Sequence, residues 1–177
     1  MKNIHKFFKG KKVLITGHTG FKGAWLAKTL SDAGARVVGV ALPPHTQPNL
    51  FTILKLKRAV KNYFLDIRDF KKLKTVFLTE KPEIVFHLAA QAIVRDSFDD
   101  PIKTISTNTL GTAHVLEAIR ATKSVKAAVI ITTDKVYENN EWAYKYRETD
   151  TLGGFEPYSA GKAAADIIIQ SYLKCFF

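Results

Sequence analysis

The sequence is poor in cysteine and in long apolar runs. Cys175 is the single cysteine among 177 residues, so no internal disulfide can form, as is typical of proteins in a reducing compartment. Near the amino terminus, the apolar run of Val13, Leu14 and Ile15 is too short for a signal peptide or a membrane span. We therefore expect a cytoplasmic protein with no membrane partner.

Acidic residues are also in short supply. There are 16 Asp and Glu against 27 Lys and Arg, which gives a net charge of +11. The lysines are spread along the chain, with groups at residues 2–12, 55–61 and 71–74, and no interleaved aromatic residues or known nucleic-acid motif accompany them. This spread favours a solvated surface over a nucleic-acid partner, and the positive field would still attract an anionic substrate.

Short β-branched runs alternate with helical stretches along the whole chain. This alternation predicts one domain, residues 1–177, of the α/β class: a Rossmann-like, doubly wound parallel sheet with helices on both faces. The simplest strand order is 3-2-1-4-5, which places ligands at the carboxyl ends of the strands. We predict strands at residues 12–16, 36–41, 62–65, 84–87 and 127–132, and helices at residues 21–33, 69–80, 101–122 and 157–177. Residues 42–49 and 134–156 are predicted to be irregular, and the second segment is long enough to suggest a functional role.

A glycine motif, Gly17-x-x-Gly20-x-x-Gly23, joins the first predicted strand to the first predicted helix. In that context one glycine allows a tight turn, another lets the backbone approach a pyrophosphate, and a third lets the helix pack closely on the sheet. The phosphates would meet N–H groups at the positive end of the helix. We therefore predict dinucleotide binding by the whole loop, which consists of Gly17, His18, Thr19, Gly20, Phe21, Lys22 and Gly23.

The residues themselves leave the choice between NAD and NADP open. The second predicted strand ends without the acid that usually holds the ribose hydroxyls, and without an arginine for a 2′-phosphate. Asp66 and Ile67, after the third strand, could contact the adenine. Equally, Asp66 or Asp69 could cap the helix that follows.

Tyr158 and Lys162 lie four residues apart at the start of the last predicted helix, so their side chains project from one face. An ammonium group beside a phenol lets a tyrosine act as a base near neutral pH, and the same lysine can bind the nicotinamide ribose. This spacing often arises by chance, and the glycine loop upstream is what favours the functional interpretation.

The segment Thr132-Thr133-Asp134-Lys135 follows the fifth predicted strand, at the ligand edge of the sheet. A threonine there can bind a substrate hydroxyl, an aspartate can protonate a leaving group, and a lysine can move a proton. The alternative is a strand exit with a turn-forming aspartate. The position at the ligand edge favours the functional interpretation.

Five motifs together resemble the extended short-chain dehydrogenase/reductase family, over residues 12–173. They are the glycine loop, Asp66-Ile67-Arg68-Asp69, His87-Leu88-Ala89-Ala90-Gln91, Asn108-x-x-Gly111-Thr112 and Tyr158-x-x-x-Lys162. The resemblance implies tightly bound NAD and no metal site. Outside the loop it implies that the cofactor contacts Asp66, Ile67, Leu88, Ala89, Ala90, Gln91, Asn108, Thr132, Tyr158 and Lys162.

Within this family, residues 16–23, 133–139 and 150–160 are similar to the 4,6-dehydratases that act on CDP-glucose. The sharpest feature is Lys135, because dehydratases acting on dTDP-glucose carry glutamate there. The resemblance implies that Tyr158 takes the proton of the sugar 4-hydroxyl while Thr133 holds that oxygen. Lys135 would then assist removal of the C5 proton, and Asp134 would protonate the departing 6-hydroxyl. The implied product is CDP-4-keto-6-deoxyglucose, a precursor in deoxysugar and O-antigen synthesis.

The sequence departs from the family pattern in two places. Gly161 stands where relatives usually have serine, and the chain ends at Phe177, so we expect the last strand and the C-terminal substrate-binding domain to be absent from it. A homodimer through helices 101–122 and 157–173 is the family-based expectation. Two other functions stay open: a non-catalytic NAD(P)-sensing or interaction module, and a related epimerase or reductase, which Asp134-Lys135 disfavours.

Overall fold

The computed structural model describes residues 2–177, which form two compact units. The first unit contains residues 2–89 and 117–131, and the second contains residues 90–116 and 132–177. In the described part of the chain, no helix combines the length and the apolarity needed to cross a membrane.

The first unit is built around a five-stranded sheet. Its strands are β1 Lys12–Thr16, β2 Arg36–Ala41, β3 Lys61–Phe64, β4 Ile84–His87 and β5 Ala127–Ile130. All neighbours pair in parallel, in the order β3-β2-β1-β4-β5. The predicted fold class and strand order are confirmed, although β3 begins at Lys61 rather than residue 62 and β5 ends at Ile130 rather than residue 132.

The central strand β1 carries the best-buried side chains of the sheet. Val13, Leu14 and Ile15 are fully buried, because β1 has a strand on each edge and packing on each face. Val13 and Ile15 belong to the cluster that also includes Ala24 and Leu30. Since side chains alternate along a strand, Leu14 faces the opposite side of the sheet. A strand buried on both faces has a continuous apolar run, here residues 13–15, which is why the sequence predicted it so well.

Five helices complete the first unit: α1 Lys2–Phe8, α2 Phe21–Asp32, α3 Leu50–Ile53, α4 Leu56–Ala59 and α5 Phe70–Glu80. The chain turns after α2 at Gly34, whose φ of 83° is a left-handed conformation suited to glycine. Helices α1, α3 and α4 were not predicted from the sequence. The four-residue helices α3 and α4 are too short to show a helical repeat, and buried Phe51 and Leu56 anchor them.

The second unit is mainly helical. It contains α6 Val94–Asp99, α7 Pro101–Ile105, a π-helical turn Ser106–Leu110, the start of α8 Gly111–Arg120, a 3₁₀ turn Asp134–Val136 and α9 Pro157–Phe176. The prediction of one regular helix over residues 101–122 is wrong. The π turn accommodates one extra residue between α7 and α8, and α8 ends at Arg120.

Residues 134–156 are more ordered than their sequence suggested. They begin with the 3₁₀ turn, and Tyr137 forms an antiparallel bridge with Leu152. The rings of Tyr137 and Tyr146 stack with their centres 5.5 Å apart, and Trp142 stacks on Tyr144 at 4.4 Å. Aromatic side chains within the segment therefore give it packing of its own, which the sequence pattern did not reveal.

Candidate functional site

Gly17 makes the tight turn after β1 in the first unit. Its φ is 80°, and its N–H donates to the carbonyl of Val40 at 2.8 Å. A Cβ atom at this position would lie 2.7 Å from the Ala89 nitrogen, well inside contact distance. Both the backbone angle and the close approach of residues 88–89 therefore require glycine here.

Gly20 and Gly23 have different surroundings in the same loop. Gly23 is buried in the first turn of α2, and a Cβ atom there would overlap the carbonyl group of Gly17. At Gly20, which caps α2, an added Cβ would meet only the Gly17 oxygen, at 3.4 Å. Gly23 thus lets the helix pack on the loop, while Gly20 leaves an open backbone face at the start of the helix.

The His18 side chain is buried in the first unit. Its Nε2 lies 2.9 Å from Oδ1 of Asn62, and its ring packs edge-on against Phe51 and lies against Gly39. Burial lowers the pKa of His18, against the opposing effect of hydrogen bonds to Asn62 and to the Val40 backbone. These contacts give the imidazole a structural role, so that cofactor contact by His18 stays a prediction.

The other loop residues are more accessible. The hydroxyl of Thr19 donates to the Leu42 carbonyl at 2.9 Å, which ties the loop to the end of β2 where the ribose-binding acid is missing. Phe21 and Lys22 are exposed at the start of α2. They are free to meet a ligand at the positive end of this helix.

Thr16, the last residue of β1, organises this region, although the sequence motif that begins with it gave it no role of its own. Its fully buried Oγ1 accepts hydrogen bonds from the N–H groups of Leu88 and Ala89, both at 3.2 Å, and lies 2.6 Å from Nδ1 of His87. The hydroxyl can donate to His87 while it accepts the two backbone groups. The available signal was a hydroxyl residue directly before the glycine motif.

Asp66 and Asp69 have different surroundings, and only Asp69 caps the helix that follows. Asp69 is the cap of α5, accepting from the N–H of Lys72 at 3.1 Å. The half-buried Asp66 carboxylate binds Arg68, and this hydrogen bond holds the pKa of Asp66 below its usual value. Ile67 is buried between them. The capping role therefore belongs to Asp69, and adenine contact by Asp66 and Ile67 stays a prediction.

In the second unit, Gln91 and Asn108 form a reciprocal pair. The Gln91 N–H donates to Oδ1 of Asn108 at 2.8 Å, and Nδ2 of Asn108 donates to the Gln91 carbonyl at 3.0 Å. Asn108 lies in the π turn, is fully buried, and has its own carbonyl bound by Thr112. This pair fixes the backbone of half-buried Gln91, directly after Ala90. Within the described residues, the buried Oε1 of Gln91 has no hydrogen-bond partner, so it is an acceptor available to a ligand.

The 3₁₀ turn that follows Thr132 carries the three residues expected to act on a substrate. Thr133 caps the turn by accepting from the N–H of Lys135 at 3.3 Å, and its hydroxyl donates to Asp134 at 3.0 Å. The side chains of Asp134 and Lys135 are exposed. The turn packs on α9, which bears Tyr158 and Lys162. All five predicted catalytic residues belong to the second unit.

The first turns of α9 hold Tyr158 and Lys162 in contrasting environments. Glu156 caps the helix, accepting from the N–H groups of Tyr158 and Ser159 at 2.7 and 3.2 Å. Tyr158 is half-buried, whereas Lys162 is only 5% exposed. Burial lowers the pKa of Lys162 to about 8, although Asp166 one turn further on opposes the shift.

Gly161, the departure from the family pattern, lies against the π turn. Its carbonyl accepts from the hydroxyl of Thr109 at 2.9 Å. A Cβ atom at Gly161 would meet Cβ of Asn108 at 3.5 Å and Cα of Ile105 at 3.6 Å, which are ordinary contacts. The site therefore has room for a small side chain, and glycine is not required there.

Comparison with known proteins agrees with this arrangement. The family model described as GDP-mannose 4,6 dehydratase matches residues 14–176. The chain belongs to this family.

Several known proteins are similar to the chain. CDP-glucose 4,6-dehydratase of Salmonella typhimurium is 47% identical over 97% of the chain and 48% of the relative. dTDP-D-glucose 4,6-dehydratase of Dictyostelium discoideum is 34% identical over 94% of the chain and 41% of the relative. Among solved structures, the UDP-glucose 4-epimerase of Thermus thermophilus in complex with NAD superposes with a TM-score of 0.80 at 28% identity, over 93% of the chain and 51% of the epimerase. The chain thus spans about half the length of the proteins it matches.

Membership confirms the family resemblance drawn from the five motifs. Within the first unit, the structure brings Gly17, Gly23, Leu88 and Ala89 into one compact turn region. Within the second, it brings Gln91 to Asn108 and packs the Thr133 turn on α9. The roles assigned to the individual residues stay predictions.

Proposed function

We propose that the chain is the NAD-binding part of a nucleotide-sugar 4,6-dehydratase that converts CDP-glucose to CDP-4-keto-6-deoxyglucose. The observation that carries the proposal is the pairing, in one unit, of the turn that follows half-buried Thr133 and exposes Asp134 and Lys135 with a helix that bears Tyr158 and a buried Lys162. The 47% identity to the Salmonella enzyme supports the choice of CDP-glucose.

The glycine loop fits NAD. Gly17 turns the chain sharply, and the absence of a side chain at Gly20 leaves the backbone face beside α2 open. The first N–H groups of a helix have no acceptor within it, so those of α2 are suited to a pyrophosphate. Bound NAD would accept a hydride from the sugar and return it. Loop residues 17–23 would hold the phosphates, Asp66 and Ile67 the adenosine, and Lys162 the nicotinamide ribose.

Each catalytic side chain has a defined task in this proposal. Tyr158 takes the proton from the sugar 4-hydroxyl while Thr133 donates a hydrogen bond to that oxygen. The resulting C4 ketone acidifies the C5 hydrogen, and Lys135 assists its removal. Asp134 then protonates the departing 6-hydroxyl, which leaves as water. The exposure of Asp134 and Lys135 is consistent with side chains that act on a bound substrate rather than on each other.

The acid and base on the turn distinguish a dehydratase from an epimerase. Epimerisation at C4 needs one proton acceptor and a hydride carrier, whereas loss of water needs an additional acid for the leaving hydroxyl and a base at C5. Asp134 and Lys135 provide that additional pair.

The test is to incubate the purified chain with NAD and CDP-glucose and to follow the alkali-induced absorbance of the 4-keto product. The Tyr158→Phe variant is the control for proton abstraction, and Asp134→Asn is the control for loss of water. We expect product from the unmodified chain and at least a ~100-fold loss in each variant. Absence of product would contradict turnover by this chain, and a parallel NAD titration by calorimetry would show whether cofactor binding survives.

A second candidate function is a non-catalytic NAD-binding or interaction module. The observation that favours it is that the glycine loop belongs to the first unit and the five predicted catalytic residues to the second, so the loop residues do not depend on those residues for their geometry. NAD binding without product, in the unmodified chain and in Tyr158→Phe alike, is the result expected of such a module.

We further propose a cytoplasmic homodimer that serves deoxysugar and O-antigen precursor synthesis. The apolar surface that supports a dimer lies in the second unit, where an apolar groove of about 320 Å³ is lined by Ile102, Ile105, Leu110 and Ile168, among others. A second copy of the same helices would cover this groove.

A further inference from the structure

The amino-terminal ends of the five strands form a basic edge. All strands are parallel, so Lys12, Arg36 and Lys61, which begin β1, β2 and β3, lie on the same side of the sheet. Lys126, directly before β5, is held in the same row, because its N–H donates to the Glu83 carbonyl at 2.8 Å and the N–H of Glu83 donates to the Lys12 carbonyl at 2.9 Å. This edge is opposite to the carboxyl edge that carries the glycine loop.

Three exposed lysines from the connections add to the basic edge. Lys9 packs on the turn at Gly34, which leads into β2. Lys81 follows α5, and Lys123 precedes β5 in a turn held by a 2.9 Å hydrogen bond from Ser124 to the Pro82 carbonyl. Groups that are far apart in the sequence thus converge at one side of the first unit.

Acidic side chains at this edge neutralise only part of the charge. The buried Glu80 carboxylate accepts from Nζ of Lys61 at 2.5 Å and from Nζ of Lys12 at 3.4 Å. Glu83 lies 3.4 Å from Nζ of Lys126. Lys9, Lys81 and Lys123 take part in no ion pair among residues 2–177. Their charges are directed to solvent.

Helix α1 adds apolar groups beside these lysines. Phe8 packs against the core cluster of the first unit, whereas Ile4 and Phe7, three residues apart on one face, are 46% and 56% exposed. Nζ of Lys11 lies 5.1 Å from the centre of the Phe7 ring. Exposed aliphatic and aromatic side chains flanked by lysine are the composition of a helix that lies in a membrane interface.

We propose that the basic edge and α1 together bind an anionic lipid surface. Lysines attract phosphate headgroups, and Ile4 and Phe7 enter the boundary between headgroups and acyl chains. The apolar pair favours lipid over nucleic acid, since phosphate-backbone binding has no use for exposed Ile4 and Phe7. Binding in this way would leave the glycine loop, at the opposite edge, directed away from the lipid. The surface interaction departs from the expectation of no membrane partner and does not depend on the proposed function.

The test is co-sedimentation of the chain with vesicles of phosphatidylcholine and phosphatidylglycerol, compared with phosphatidylcholine alone. We expect binding to the anionic vesicles only, with an affinity that falls as salt is added. Lys9→Glu combined with Lys123→Glu should weaken binding at least ~30-fold, because each lysine near an anionic surface contributes about a fivefold factor. Phe7→Ser should weaken it about tenfold through loss of the inserted ring.

The matched control is Lys71→Glu combined with Lys74→Glu, which makes the same change in net charge. Both residues belong to the first half of α5, and Nζ of Lys74 lies over the ring of Phe70 at the start of this helix, away from the basic edge. This control should stay within about threefold of the unmodified chain. No binding to anionic vesicles, or an equal loss in both double variants, would overturn the proposal. Competition by duplex DNA, with no effect of Phe7→Ser, would identify the edge as a nucleic-acid surface instead.

Discussion

Gly20 and Gly23 lie three residues apart in one loop, yet only Gly23 is required by packing. A side chain at Gly23 would meet the carbonyl group of Gly17, which is backbone and cannot rotate away. At Gly20 the same oxygen is 3.4 Å away and the backbone is extended, with φ of −79°. The open space at Gly20 has a use only if a ligand approaches the backbone there.

Substitution by alanine separates these two roles. Gly23→Ala should lower the free energy of unfolding by about 2 kcal/mol, because the helix must move off the loop. Gly20→Ala is the matched control and should change it by less than about 1 kcal/mol. Urea unfolding of both variants checks this, and equal losses would contradict the difference in packing. NAD affinity should fall in both variants, since Gly20 borders the proposed phosphate site.

Lys162 predicts a pH dependence of stability with a defined sign. Its pKa is lowered from 10.5 to about 8 in the folded chain by burial, so between these values the unfolded state binds more protons. The free energy of unfolding should therefore rise with pH across this window, by about 3 kcal/mol relative to Lys162→Met. Urea unfolding of both proteins at about pH 7 and about pH 10 measures the difference. Parallel pH curves for the two proteins would show that Lys162 is not buried in this way.

At the scale of single elements, α9 depends on its cap. The carboxylate of Glu156 accepts from two N–H groups of the first turn, and its Oε2 lies 3.4 Å from Oγ of Ser97 in α6. Glu156 therefore contacts residues of both helices, and the cap also ties α9 to α6.

Removing the cap should lower the free energy of unfolding, and replacing its carboxylate by an amide should lower it less. Glu156→Ala should lower the free energy of unfolding by about 1–2 kcal/mol, whereas Glu156→Gln keeps an acceptor and should lose about half as much. Glu148→Ala, which removes an exposed carboxylate, is the control and should stay within about 0.5 kcal/mol. If the two alanine variants unfold at the same urea concentration, the capping role is contradicted.

The elements that the sequence predicted well are those whose structure follows from their own local pattern of apolar residues and glycine. Residues 13–15 of β1 form an apolar run because they are buried on both faces of the sheet, and α2 has a glycine in the left-handed conformation just beyond its end. The interruption between α7 and α8 escaped prediction, because the side-chain pattern of residues 101–120 is helical throughout. At the interruption Asn108 exchanges two hydrogen bonds with the Gln91 backbone, a contact between segments that no local pattern encodes.

At the scale of the whole molecule, topology was predictable and surfaces were not. The strand order follows from the alternation of elements and right-handed crossovers, so the position of the glycine loop at the carboxyl edge of the sheet could be anticipated. The partner of the buried His18 could not be anticipated, because Asn62 reaches it only after the sheet has assembled. The basic edge could not be anticipated either, because its lysines come together only in the same way. Lysines that are far apart in a sequence can therefore lie close together on the surface of the folded chain.

Self-association is the property of the whole molecule most open to measurement. Ile102 and Leu110 in the second unit are 75% and 51% exposed, so we expect sedimentation equilibrium to give a dimer mass. Ile102→Asp combined with Leu110→Asp should weaken the dimer at least ~10-fold, because charge would be buried at the contact. Ile53→Asp, a similarly exposed isoleucine of the first unit, is the control and should have no effect. A monomer mass for the unmodified chain would rule out this interface.

The π turn also constrains how this stretch of the gene can change. A regular helix would connect α7 to α8 with one residue fewer than Ser106–Leu110 contains. Loss of one codon here would therefore keep the helix continuous. It would also turn the preceding helical residues about the helix axis, by the angle that one residue contributes, and would carry Asn108 away from Gln91. Loss of one codon within a surface loop has no such effect. The pair of Asn108 and Gln91 therefore constrains the number of residues in this helix.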